Sequence, residues 1–140
     1  MTVFYLETSV ALQVLLREPE YETHLDLLEQ ADRVVTSALT VAEVNRVIRR
    51  FVSQKILTEG KAQELIGIVE TQSRGWDILE ISASILNRAG EHFPVEPIRT
   101  LDAIHLASAL ELKRIFSDLT VLSSDSRIFE NLVPLGMSGD

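Results

Sequence analysis

Four carboxylates stand where a single chain could use them together. Glu7 closes the apolar run Val3-Phe4-Tyr5-Leu6, and Asp125 follows the run Leu119-Thr120-Val121-Leu122. Glu43 and Asp102 each sit near the start of a stretch with helical periodicity. Carboxylates brought close together repel and raise one another's pKa unless a cation compensates. A set of hard oxygen donors with no His or Cys partner favours Mg2+ or Mn2+ over zinc. Such a metal, partly hydrated, lowers the pKa of a bound water and can hold a phosphodiester for in-line attack. Hydroxyls flank two of the four acids: Thr8 and Ser9 after Glu7, Ser123 and Ser124 before Asp125. They suit the orienting of carboxylates or of metal-bound water.

Each acid has a plainer competing role. Glu43 and Asp102 in a first helical turn would favour the helix dipole, and Asp125 would serve as a helix cap. Glu7 resists that explanation, because glutamate is neither a favoured N-cap nor a favoured strand residue. His105 follows Asp102 by one turn on a mostly apolar helix, where a packed, hydrogen-bonded imidazole is expected rather than a ligand. Arg46, Arg49 and Arg50 form a solvated face or an RNA contact, and the same choice applies to Arg99 and Arg127 beside two of the acids.

The elements that must position these groups alternate. Strands are expected at Val3 to Leu6, Val34 to Thr36, Ile78 to Ile81 and Leu119 to Leu122. A helix from about Val10 to Arg17 is capped by the Thr8-Ser9 corner, and Pro19 falls in the first turn of the next, which runs to about Ala31. Ser37 or Thr40 caps a long helix whose stripe is Val41, Val44, Val47, Ile48 and Phe51. A helix opening at Thr58 to Lys61 folds back on it, and Ser82 caps a shorter one. After a Pro-containing loop at residues 92–97 comes a helix from Thr100 to about Lys113, apolar almost all round and therefore buried. A last helix runs from Ser126 to about Leu132, and the tail after Gly136 carries no regular signal. This alternation predicts an α/β chain: a three-layer α/β/α sandwich around a mostly parallel sheet of four or five strands, in one domain spanning residues 1–140. In a parallel sheet the strand ends and helix starts share one edge, where ligands bind. All four acids are expected there.

Composition narrows the partners. A 46% hydrophobic, 24% charged chain has an ordinary globular profile, and its apolar runs are far short of a membrane span. There is no basic amino-terminal region with a long apolar run, and no cysteine, which excludes thiolate chemistry and fits the cytoplasm. A net charge of -8 makes a poor general phosphate-backbone binder, though not a poor nuclease with a local basic rim.

The segments Tyr5-Leu6-Glu7-Thr8-Ser9-Val10, Thr40-Val41-Ala42-Glu43-Val44, Leu101-Asp102-Ala103-Ile104-His105-Leu106-Ala107 and Leu122-Ser123-Ser124-Asp125 occur in the order seen in PIN domains. The chain resembles a VapC-type toxin, the ribonuclease half of a type II toxin–antitoxin pair, from Val3 to Gly136. The resemblance implies an endoribonuclease dependent on Mg2+ or Mn2+, with Glu7, Glu43, Asp102 and Asp125 as its acidic metal site. It places Ser9 beside the metal. The flanking Ser124 is expected to orient a carboxylate or a metal-bound water, and basic side chains such as Arg46 or Arg99 to hold the RNA strand. It also implies a homodimer and a cognate antitoxin whose tail covers the site. Two departures stand out. The family's first acid is usually Asp, so Glu7 either supports metal-dependent cleavage or leaves a module that binds antitoxin or RNA without turnover. The chain also stops soon after Leu135-Gly136, so a fifth strand is expected to be very short or absent.

Overall fold

Strand β1 (Val3–Leu6) is buried along its whole length, and the rest of the molecule is layered on its two faces. The structure is a computed structural model describing residues 1–140. In chain order the elements are β1, α1 (Thr8–Leu15), α2 (Tyr21–Gln30), β2 (Arg33–Ser37), α3 (Ala38–Ser53), α4 (Glu59–Ser73), β3 (Asp77–Leu79), α5 (Ala83–Ala89), α6 (Thr100–Ile115), β4 (Leu119–Leu122), α7 (Ser126–Leu132) and β5 (Ser138–Gly139). The strands form one parallel sheet in the order β3-β2-β1-β4-β5.

Alternate residues of β1 feed separate cores. Phe4 and Leu6 pack with Val10, Val44, Ile48 and Leu65 from α1, α3 and α4. Val3 and Tyr5 pack with Leu106, Leu112, Ile128 and Leu132 from α6 and α7. A strand buried on both faces must be apolar at every position, which is why its sequence runs without alternation. Helices therefore cover both faces of the sheet, as the alternating pattern requires. From β1 the order runs outward to β2 and β3 on one side and to β4 and β5 on the other, so it reverses between β1 and β4. The crevice outside the carboxyl ends of strands at such a reversal is the ligand position of open α/β sheets. Glu7 and Ser123 stand there, next after β1 and β4.

Several expectations are corrected. Helix α1 starts at Thr8 rather than Val10, and its N-cap is Glu7, whose side chain accepts the Ser9 amide. The long side chain folds back far enough to do what a shorter cap residue does, and its charge suits the helix amino terminus. Pro19 precedes α2 instead of entering it, because Glu20 adopts a left-handed φ of 67° that no helix can contain. Ser37, not Thr40, caps α3, so Glu43 lies in the second turn rather than the first. Strand β3 ends at Leu79, the last residue that finds a partner in β2. The tail does form a fifth strand of two residues, paired with Thr120 and Val121. Of the two outcomes expected, very short or absent, it is the first; Ser138-Gly139 has no β-branched signal of its own. Gly139 packs closely on Leu132 and Phe129, which would have to move to admit a Cβ there.

Candidate active site

A depression of about 500 Å3 opens at the carboxyl edge of the sheet. Glu7, Glu43, Asp102 and Asp125 all line it, with Ser9 and Arg99. Four elements bring them: the β1–α1 corner, α3, α6 and the β4–α7 corner. Of the other expected residues, Arg46 is exposed on α3 outside the depression, and Ser124 contributes only its amide. Arg49 pairs with Glu59, and Arg50 lies over Phe51, so both have structural work elsewhere.

Glu7 is 5% exposed and fully engaged. One oxygen accepts hydroxyls from Ser9 at 2.5 Å and Ser123 at 2.6 Å, and the other accepts the Ser9 amide at 2.9 Å. The two hydroxyls are themselves held: Ser9 Oγ accepts the Ser124 amide, and Ser123 Oγ accepts the Asp125 amide. The β1 and β4 corners are thereby stitched together through the first carboxylate.

Glu43 is engaged from a different direction. Its Oε1 accepts the Thr8 hydroxyl at 2.6 Å and His105 Nε2 at 2.5 Å. With that ring proton committed to the carboxylate, Nδ1 accepts the hydroxyl of Tyr5 at 2.8 Å. Tyr5 retains its proton, because burial and then the charges of Glu7 and Glu43 push its pKa well above the usual value. Burial pushes the Glu43 carboxyl up, but the hydrogen bonds from His105 and Thr8 outweigh it and hold it below the ordinary carboxylate value. His105 is 2% exposed, lines the floor of the depression and is bonded to Glu43 and Thr8, the packed, hydrogen-bonded imidazole expected of it.

Asp102 is the exception. Its Oδ2 is buried and has no hydrogen-bond partner. Burial and the neighbouring charge of Asp125 raise its pKa, opposed by the backbone of Arg99 and the charges of Arg127 and Arg99. Asp125 spends Oδ1 on the amides of Arg127 and Ile128 and so caps α7. Its plainer role is real and coexists with a place in the depression.

Tyr5 is the site residue that the chain alone did not single out. Thr8 and Ser123 donate to carboxylates as the flanking hydroxyls were expected to, although Thr8 turns to Glu43 rather than to Glu7. Period-2 spacing does put Tyr5 and Glu7 on one face of β1, and i, i+3 spacing puts Asp102 and His105 on one side of α6. Neither pattern shows that the imidazole reaches Glu43.

The donor set fits a hard divalent cation: four carboxylates, no sulfur, and a desolvated aspartate oxygen with nothing to bind. No three acids converge closely enough to form a ready-made cage. A divalent cation here would keep part of its water shell.

A family model described as PIN domain matches residues 4–132. Ribonuclease VapC46 of Mycobacterium tuberculosis is 33% identical over 139 residues, covering 99% of this chain and 96% of its own length. Among solved structures, VapBC-1 from nontypeable Haemophilus influenzae superposes with a TM-score of 0.67 at 15% identity, covering 99% of this chain and 96% of that one. VapBC2 from Rickettsia felis, bound to a DNA fragment from its promoter, gives 0.66 at 16%, covering 99% and 97%. At those identities the two structures speak for the fold.

Proposed function

The chain belongs to the PIN-domain family, as a VapC-type ribonuclease of toxin–antitoxin systems, and on that premise we propose that it is an endoribonuclease that uses Mg2+ or Mn2+ at the depression lined by Glu7, Glu43, Asp102 and Asp125. The observation that carries this reading is the orphaned, buried Oδ2 of Asp102 among three other carboxylates. A bound cation would remove the desolvation and repulsion that raise the Asp102 pKa.

Asp102 and Asp125 would hold the metal most directly, with Glu7 and Glu43 binding it or its waters. When bound, the metal supplies Lewis-acid polarisation of the phosphodiester and a water of lowered pKa. The protein's own contribution is placement. Ser9 and Ser123 fix the Glu7 carboxylate, and Thr8 and His105 fix that of Glu43, so neither has to be ordered when RNA arrives. Arg99 has no ion-pair partner and stands at the wall, free to meet a phosphate oxygen. Arg46 lies one turn from Glu43 on the exposed side of α3 and would touch the strand farther out. The names of the curated relatives favour turnover over a binding-only module, and Glu7 is well supported rather than displaced.

We further infer one catalytic domain spanning residues 1–140, a homodimer, a cytoplasmic location and a cognate antitoxin that covers the depression. No helix is long and apolar enough to cross a membrane. Purified protein is expected to cleave RNA with Mg2+ or Mn2+ and to stop on chelation, while Asp102→Asn stays folded and inactive. Unchanged cleavage by Asp102→Asn would overturn the assigned site. Growth arrest on expression, relieved by the product of an adjoining antitoxin reading frame, tests the partner.

A further inference from the structure

Beside the acidic depression lies a second hollow of about 340 Å3, between α5, the loop at residues 91–99 and the start of α6. Arg99 and Thr100 belong to the walls of both, so the two are continuous. Their chemistry is different. The first is a ring of acids and hydroxyls, whereas the second is floored by Phe93, Ala103 and Ile104 and edged by Leu86. Leu86 is 50% exposed, a large apolar side chain left open to solvent where the hollow meets the surface.

The walls are firmly built. Ile85, Ile104 and Ala107 lock α5 onto α6. Both carboxylate oxygens of Glu96 are spent on the amides of Phe93 and Ile98, which staples the loop. The Arg88 guanidinium lies 4.2 Å over the Phe93 ring and closes its outer side. The volume is at the lower end of the roughly 300–1,000 Å3 of small-ligand sites.

A hollow with an apolar floor, Glu91 and Glu96 on its rim and an unpaired arginine where it opens into the acidic depression, has the size and chemistry of one nucleotide: a flat base with its phosphate at Arg99. Single-stranded RNA is read by splaying bases out of the stack into such slots. We propose that this hollow binds one unstacked RNA base adjacent to the scissile phosphate, with Arg99 at the shared wall contacting the phosphate between the two sites. The proposal rests on the ribonuclease reading and adds to it the subsite that selects where the strand is cut.

The test uses a short unstructured RNA that the enzyme cleaves at one position, remade with a single abasic ribose at each neighbouring position in turn. Wild type is expected to lose about tenfold in kcat/KM at one abasic position next to the cut and little elsewhere. Leu86→Ala, at an exposed side chain, and Ala89→Phe, which fills the slot, should lower kcat/KM on the intact RNA and abolish the penalty at that same position. Sensitivity at no position, or an equal penalty in wild type and both variants, would overturn the proposal. Binding is read independently on wild type with the four nucleoside 5′-monophosphates, following the methyl resonances of Leu86 and Ile104. At least one nucleotide should shift them where inorganic phosphate does not, and identical responses to nucleotide and phosphate would overturn it. Absence of RNA cleavage with either metal would count against the ribonuclease reading, and the nucleotide titration would then judge the hollow on its own.

Discussion

Glu7 and Glu43 on one side of the depression, and Asp102 and Asp125 on the other, carry the same charges but are held in different ways. Glu7 takes three hydrogen bonds and Glu43 two, every donor belonging to a buried or half-buried group. Asp102 has a buried oxygen with none, and Asp125 faces it as a like charge. The glutamate side is at rest without a cation. The aspartate side is not, and Arg99 and Arg127 relieve it only from a distance. The difference identifies where a metal contributes most, because an unsatisfied buried charge gains more from a cation than one already bonded.

The strongest way to break this contrast is Asp102→Asn. RNA cleavage should fall by more than about 100-fold, the upper end for losing even an outer-shell partner of a metal. Metal should also stop stabilising the fold: wild type at about 100 times its metal Kd gains on the order of 2.7 kcal/mol in thermal or urea unfolding, and the variant gains almost nothing. Equal metal-induced stabilisation of both proteins would move the cation elsewhere.

His105→Ala probes the satisfied side. It strips Glu43 of one donor and leaves the Tyr5 hydroxyl without its imidazole partner. Cleavage should drop by roughly 10–100-fold, and metal-free stability by about 1–3 kcal/mol. Tyr5→Phe should have the smaller effect on cleavage, because the Nε2 bond to Glu43 survives. A larger loss for Tyr5→Phe than for His105→Ala would mean that the phenol does more than hold the ring.

Glu7→Asp shortens the first carboxylate by one methylene, which cannot keep both its fold-back onto Ser9 and its reach to Ser123. A stability loss of about 1 kcal/mol, near the net worth of one hydrogen bond, is expected in denaturant titration. Under the ribonuclease reading wild type is active and the variant less stable. An inert wild type that gains activity as Glu7→Asp would reverse that and restore the binding-module reading.

The smallest effects are in pH dependence, and their signs differ. Burial and then Asp125 raise the Asp102 pKa, so its contribution is present below the unfolded value and is lost as pH rises through the folded one. Metal-free wild type should therefore fall behind Asp102→Asn in stability on going from acid to neutral pH. For Glu43, burial raises the pKa but the bonds from His105 and Thr8 leave it lowered. Its contribution is present above the unfolded value and lost as pH falls through the folded one. Glu43→Gln should thus lose stability relative to wild type at neutral pH and recover it in acid. Parallel profiles for the two variants would erase the contrast.

Much of the architecture was legible because local pattern and tertiary role agree. The runs Val3–Leu6 and Leu119–Leu122 became strands at the expected bounds, the first because a strand buried on both faces is apolar throughout, the second with only the half-buried Thr120 interrupting its apolar run. Helix α6 was recognisable from its all-round apolarity, and Asp102 from interrupting it. The misreadings lie where one residue has two duties. Glu7 was set aside as a cap on propensity, yet caps α1 while lining the site. Glu43 is expected in the first turn of its helix with the cap left open between Ser37 and Thr40, and the cap at Ser37 sets it in the second turn. The fifth strand, two residues long, is as short as the early end of the chain led one to expect.

The order of strands and helices, the burial of β1, and the gathering of four acids at one edge follow from the chain alone, because hydrophobic period and parallel connection leave few alternatives. Which acids are satisfied was decided only by the tertiary structure. Ser123 reaches Glu7 across 116 residues, Tyr5 reaches His105 across 100, and His105 reaches Glu43 across 62. A hydrogen bond forms only within about 3 Å and a narrow range of angles. Whether a donor arrives there depends on how sheet and helices pack. That packing leaves Glu7 and Glu43 bonded and the buried Oδ2 of Asp102 without a partner.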